Sequence, residues 1–150
     1  MKAFIIAIGL LGLSVMVPAL ADSPATTLEA RDMKDIQGTW RIVAIEADGQ
    51  PAPPEIVAAL KLVFKGNTLT FTPGEPGYAH YTFTLVPTNQ PCGFSMTHAD
   101  GSEKGKTQNG IYSLGGDRLK ICVAPGNRTP RDFKTTSGSG LGLYTLERVK

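Results

Sequence analysis

Past residue 21 this chain has no apolar stretch near the ~20 residues that a membrane-spanning helix requires. It contains two cysteines and two histidines, with no Cys-x-x-Cys and no histidine pair at ligand spacing, so no metal site is indicated. Charge of one sign is also lacking. Fifteen Lys and Arg against thirteen Asp and Glu give a net +2, and the basic residues are scattered. That distribution lacks the electrostatic footprint of a nucleic-acid binder or of a polybasic membrane anchor. No Gly-x-Ser-x-Gly elbow occurs, and neither His80 nor His98 has a carboxylate partner evident in sequence. Gly115-Gly116-Asp117 precedes no helix, so it reads as a turn rather than a phosphate cradle. The expectation is a protein that is not an enzyme, with no catalytic residue, cofactor or metal.

What is present begins with export. Met1-Lys2 is a short positive start, Ala3 to Val17 is an apolar run, and Pro18-Ala19-Leu20-Ala21 offers an Ala-x-Ala cleavage site. This order is that of a signal peptide over residues 1–21. An uncleaved anchor is the alternative, against which the shortness of the apolar run counts. No cysteine follows the cleavage site to take a lipid. The mature chain is expected to be periplasmic or secreted, without a membrane span. Cleavage leaves 150 − 21 = 129 residues, enough for one domain with a single core, and loss of Lys2 lowers the net charge from +2 to +1. Residues 22–31 read as a flexible leader and 32–150 as the domain.

Asp32 is placed to cap a short helical turn over Met33 to Ile36, ended by Gly38. Thr39–Glu46 is rich in β-branched residues and reads as a first strand. The prolines at 51, 53 and 54 keep the next segment out of a sheet, and Pro54 then opens the one convincing helix, to Leu60. Alternation takes over in Lys61–Lys65 and Thr68–Thr72, which flank the hairpin signal Gly66-Asn67. Tyr78–Leu85, Cys92–His98, Asn109–Leu114, Arg118–Ala124 and Leu141–Val149 continue the pattern. Ser137-Gly138-Ser139-Gly140 reads as a flexible connection within a loop over Pro125–Gly140. About eight strands with short turns and one apolar face each predict an all-β, antiparallel up-and-down barrel with one short helix. A two-sheet sandwich is the structural alternative.

Gln37-Gly38-Thr39-Trp40 is joined by a second block running from Gly110 through Gly115-Gly116-Asp117 to Cys122. With Glu46-Ala47-Asp48-Gly49, Phe64-Lys65-Gly66-Asn67 and Gly105-Lys106-Thr107, these blocks resemble an uncharacterised family of small secreted lipocalin-like domains. The family is known mainly from planctomycetes and related bacteria, and the resemblance runs from about Asp32 to Val149. It implies a lipocalin-like barrel and brings no catalytic residues. The chain departs from the family pattern at Arg128-Thr129-Pro130-Arg131-Asp132-Phe133 and at Cys92. The likeness to lipocalins implies that Trp40 plugs the closed end and that Arg148, or less well Lys150, lies over it. On that reading Arg148→Ala lowers stability and leaves the open end unchanged.

Parity places Phe64, Phe71, Tyr81, Phe83, Phe94, Met96, Tyr112 and Ile121 on the inner face. Such a set either fills a small barrel or lines a cavity for one ligand. The resemblance favours the cavity, with Phe64, Phe71, Tyr81, Phe83, Phe94, Met96, His98 and Tyr112 as the candidate lining. His98 shares the inward parity near one end, whereas His80 falls on the polar face, so the two are not expected to share a metal. Asp100 and Glu103 read as loop carboxylates in solvent. Cys92 and Cys122 would close a loop of about 30 residues, and a disulfide there would contribute roughly 3–4 kcal/mol. One intervening strand sets the two about 10 Å apart, whereas a disulfide needs Cα atoms within ~7 Å. Bonded and free thiols both stay open. The leading functional expectation is a binding protein for a small apolar or amphipathic molecule. The alternative is a filled barrel that docks an envelope or extracellular partner through the loops Pro125–Gly140 and Pro51–Leu60. Chemistry at the mouth ranks third.

Overall fold

The computed structural model describes residues 23–73 and 80–150. The signal-peptide expectation for residues 1–21 and the first two residues expected of the fourth strand lie outside the described residues. Among the described residues nine strands form one sheet: β1 Gly38–Ala47, β2 Gln50–Pro51, β3 Lys61–Lys65, β4 Thr68–Thr72, β5 His80–Val86, β6 Cys92–His98, β7 Thr107–Gly115, β8 Arg118–Ala124 and β9 Gly142–Arg148. Every neighbour is antiparallel from β3 through β9, and β1 pairs with both β3 and β9, which closes the sheet. The eight longer strands therefore form an up-and-down barrel, and the sandwich is excluded. The two-residue β2 is a small correction. Pro51 pairs at the sheet margin, where a missing N–H leaves no gap in a ladder.

The turns behave as their chemistry requires. Gly66-Asn67 joins β3 to β4, with Gly66 at φ +60°, and Gly116-Asp117 joins β7 to β8. Inner-face residues from every long strand meet in one core, including Trp40, Leu62, Phe64, Leu69, Phe83, Phe94, Tyr112, Leu119, Ile121 and Leu146, each at most 2 % exposed. The fold thus follows from period-2 patterning, each strand burying one face against the others.

Among the described residues two helices accompany the barrel. α2, Pro54–Ala59, lies where expected and leans on β1 through half-buried Val57. α1, Pro24–Asp35, corrects the reading of residues 22–31 as a loose leader and of Asp32 as a cap. Pro24 supplies the first helical position, so the helix starts eight residues before Asp32. It carries no regular apolar stripe, which is why periodicity does not announce it. Its anchoring is partly polar: Asp32 is buried, and the Tyr112 hydroxyl donates to Asp32 Oδ2 at 2.6 Å. Arg31 donates to the other carboxylate oxygen at 3.1 and 3.2 Å. Burial, then the bond to Asp32, pushes the Tyr112 phenol far above its ordinary range.

The segment 125–141 lies over the outer face of the barrel rather than extending from it. Pro130 and Thr135 are buried there, as are the outward-facing Ile111, Cys122 and Ala124. Thr135 donates to Glu46 and accepts from the Gly49 N–H at 3.0 Å, while Asp48 accepts from the Gly140 N–H at 2.8 Å. The Gly140 and then the Gly138 backbone hold the Asp48 carboxyl below its usual value.

This arrangement decides the cysteines. Cys92 packs against the interior core, opposite Tyr112, whereas Cys122 alternates with the inward Ile121 and Val123 and sits under the outer loop. The two thiols are free, because β7 separates them and they occupy opposite faces of the wall. The bonded alternative is overturned. Burial, then the charges of Asp132 and Glu46, raises the Cys122 thiol from 9.0 to about 11. The folded state favours the neutral thiol, so its contribution is complete below pH 9 and is lost as pH rises towards about 11. Urea midpoints across that window are expected to fall in the wild type and to fall less in Cys122→Val. Parallel profiles would contradict this.

Candidate ligand site at the end opposite Trp40

The strand directions define two ends. At one, α1, the β3–β4 and β7–β8 turns and the C-terminus of β9 gather around Trp40. The indole is fully buried and donates to the Ile36 carbonyl at 2.8 Å, and the Arg148 guanidinium lies 4.3 Å from the ring centroid. Arg148 also donates to the Gln37 carbonyl at 2.7 Å and to the Asp35 carbonyl, and it faces Asp117 at 3.4 Å. It therefore binds the last turn of α1 as well as the tryptophan, and Lys150 only reaches Asp117 at 3.5 Å. Tyr112 belongs to this closed end through Asp32.

Other inward side chains pack on one another. Phe64 meets Phe83 edge-on at 5.1 Å, Phe83 stacks near Phe94 at 6.0 Å, and Met96 is 5 % exposed beside them. Concavities of about 590 and 680 Å³ lie elsewhere. The first opens between α1 and the β7–β8 turn, the second beside α2 and β1. Neither takes a lining residue from the aromatic set.

At the opposite end four strands bring different residues together. Phe71 of β4 contacts Tyr81 of β5 at 5.7 Å and Tyr144 of β9 at 6.0 Å, and Tyr81 packs on the His98 ring of β6 at 4.5 Å. Burial raises the Tyr144 phenol, and burial followed by the charges of Tyr144 and Asp100 raises that of Tyr81. The His98 backbone is pinned by exchange with the following loop, its N–H donating to Lys106 at 3.0 Å and its carbonyl accepting from Gly105 at 2.9 Å. Yet its ring is not satisfied. His98 is only 8 % exposed, and its Nδ1 has no hydrogen-bond partner; nor does Asp100 Oδ1, which is likewise closed to solvent. These are the only two such side-chain atoms among the described residues. Leaving each unpaired costs about 1–3 kcal/mol, which makes the site unusual in an otherwise satisfied fold.

The loop carboxylates are thus less bland than expected. Asp100 Oδ2 pairs with exposed His80 Nδ1 at 2.8 Å, a carboxylate partner that sequence distance concealed. Ala99 donates to the His80 carbonyl at 2.9 Å, which carries the loop across the end of β5. Glu103 pairs with Lys106 at 2.7 Å, and that bond chiefly holds its carboxyl below the usual value. Of the eight expected lining residues, Phe71, Tyr81 and His98 come together here. Phe64, Phe83, Phe94 and Met96 are packed in the core apart from them, and Tyr112 faces α1. Tyr144 and Asp100 join the site unanticipated, although Tyr144 shares inward parity with Leu146 and was legible from alternation.

Among the described residues no three His, Cys, Asp or Glu side chains gather as a metal-binding group, and no helix is long and apolar enough to cross a membrane. A scan against protein-family models and searches of curated proteins and solved structures found no match to this chain.

Proposed function

We propose that this chain is an exported, non-enzymatic barrel that takes one small amphipathic molecule at its open end, shallowly rather than deep in the interior. The observation that carries this reading is the buried, unpartnered His98 Nδ1 beside the aromatic group Phe71, Tyr81 and Tyr144. Ligand sites combine apolar walls with a few placed polar groups, and this end has both. Export rests on the residue order of 1–21, and kinship with the secreted lipocalin-like domains rests on the blocks around Trp40 and Cys122. The uncharged fluorophore N-phenyl-1-naphthylamine is expected to bind and to lose affinity at least tenfold in Phe71→Ala. No binding to the wild type, or equal binding to the variant, would defeat the proposal.

A filled barrel that docks a partner is the second reading, favoured by the packed Phe64, Phe83 and Phe94. Its docking segment would be the face around α2 rather than 125–141, which is largely committed to the barrel's own wall.

A further inference from the structure

We infer that the open end selects a ligand with an organic ammonium head, and discriminates against the matching carboxylate. This rests on the open-end reading above and narrows it. Asp100 Oδ1 can only accept a hydrogen bond when ionised, and its sister oxygen is already engaged by His80 at 2.8 Å. His98 Nδ1 accepts when the imidazole proton is on Nε2. An ammonium carries three N–H donors and can satisfy an acceptor such as Asp100 Oδ1, whereas a carboxylate brings a like charge against Asp100.

The surroundings agree with this sign. Phe71 has the rings of Tyr81 and Tyr144 at 5.7 and 6.0 Å, and aromatic faces attract cations. Lys106 is already paired with Glu103 at 2.7 Å. Neither unpartnered atom is solvent-accessible, so the head group must displace part of the 99–106 connection that carries Asp100. That connection turns on Gly101 at φ +75° and Gly105 at φ +86°.

Tryptamine, tryptophol and indole-3-propionate share one ring and differ in the head group, and calorimetric titration ranks them. Tryptamine is expected to bind at least tenfold more tightly than indole-3-propionate, with tryptophol between. Asp100→Asn is expected to abolish that preference. Asp100→Ser serves as a second variant, and Asp117→Asn, at the closed end, is expected to keep the preference. Equal or stronger binding of the carboxylate, or a preference that survives both Asp100 variants, overturns the inference. Binding of the naphthylamine without any of the indoles overturns the head-group assignment and leaves the open-end reading standing. Binding of none defeats both.

Discussion

Trp40→Ala is expected to cost about 3–5 kcal/mol, a large share of a small domain's stability. The side chain is fully buried, so its removal leaves a cavity at the closed end that the rigid strands around it cannot fill. The indole N–H bond to Ile36 is lost as well, which loosens the junction of α1 with β1. Melting by circular dichroism is expected to fall by roughly 10–20 °C. Arg148→Ala is expected to cost less, about 2 kcal/mol, through the lost contacts to Asp35, Gln37 and the indole face. Because the two side chains touch, their double variant is expected to be less destabilised than the sum by about 0.5–2 kcal/mol. Naphthylamine binding at the far end should survive Arg148→Ala. A loss under 1 kcal/mol for Trp40→Ala (measured by urea titration) would show that the closed end is not assembled around the indole.

Gly110→Ala carries the second large effect, despite adding one methyl group. A Cβ at Gly110 would stand 2.4 Å from the Cys122 carbonyl oxygen and 3.0 Å from Val123 Cγ1. The first of these is backbone in the neighbouring strand, so relief requires moving the β7–β8 ladder rather than a rotamer. Overpacking of this kind costs about 1–3 kcal/mol, and the upper end applies here. Gly115 lies in the same strand with nothing within 4 Å of a built Cβ and no positive φ, so Gly115→Ala is the control. It is expected to change stability by no more than about 0.5 kcal/mol. Similar urea midpoints for the two variants would show that the close approach at Gly110 has no energetic weight.

Much of the barrel was legible because its signals are local. Gly66-Asn67 and Gly116-Asp117 are short turns whose backbone demands are written in residue type, and alternation in β3 to β9 assigns each side chain to a face. α1 was not legible in the same way. Its attachment depends on Asp32 meeting Tyr112, a contact 80 residues apart that no periodicity encodes. The cysteines illustrate the same limit: counting strands placed them apart, but only the folded wall shows that they face opposite sides.

By itself the sequence determined the antiparallel strands and the inward set, since strand parity and turn chemistry act over a few residues, while the pairing of Trp40 with Arg148 was implied by the likeness to lipocalins. The tertiary structure decided which inward residues pack on one another. Phe64, Phe83 and Phe94 share parity with Phe71 and Tyr81 but differ in height along the barrel. Height depends on register across several strands, and so does the arrival of Asp100 beside His80, with His98 one strand residue before its loop. A hydrogen-bond vacancy is a property of that assembly, because a polar atom is unsatisfied only in relation to everything packed around it.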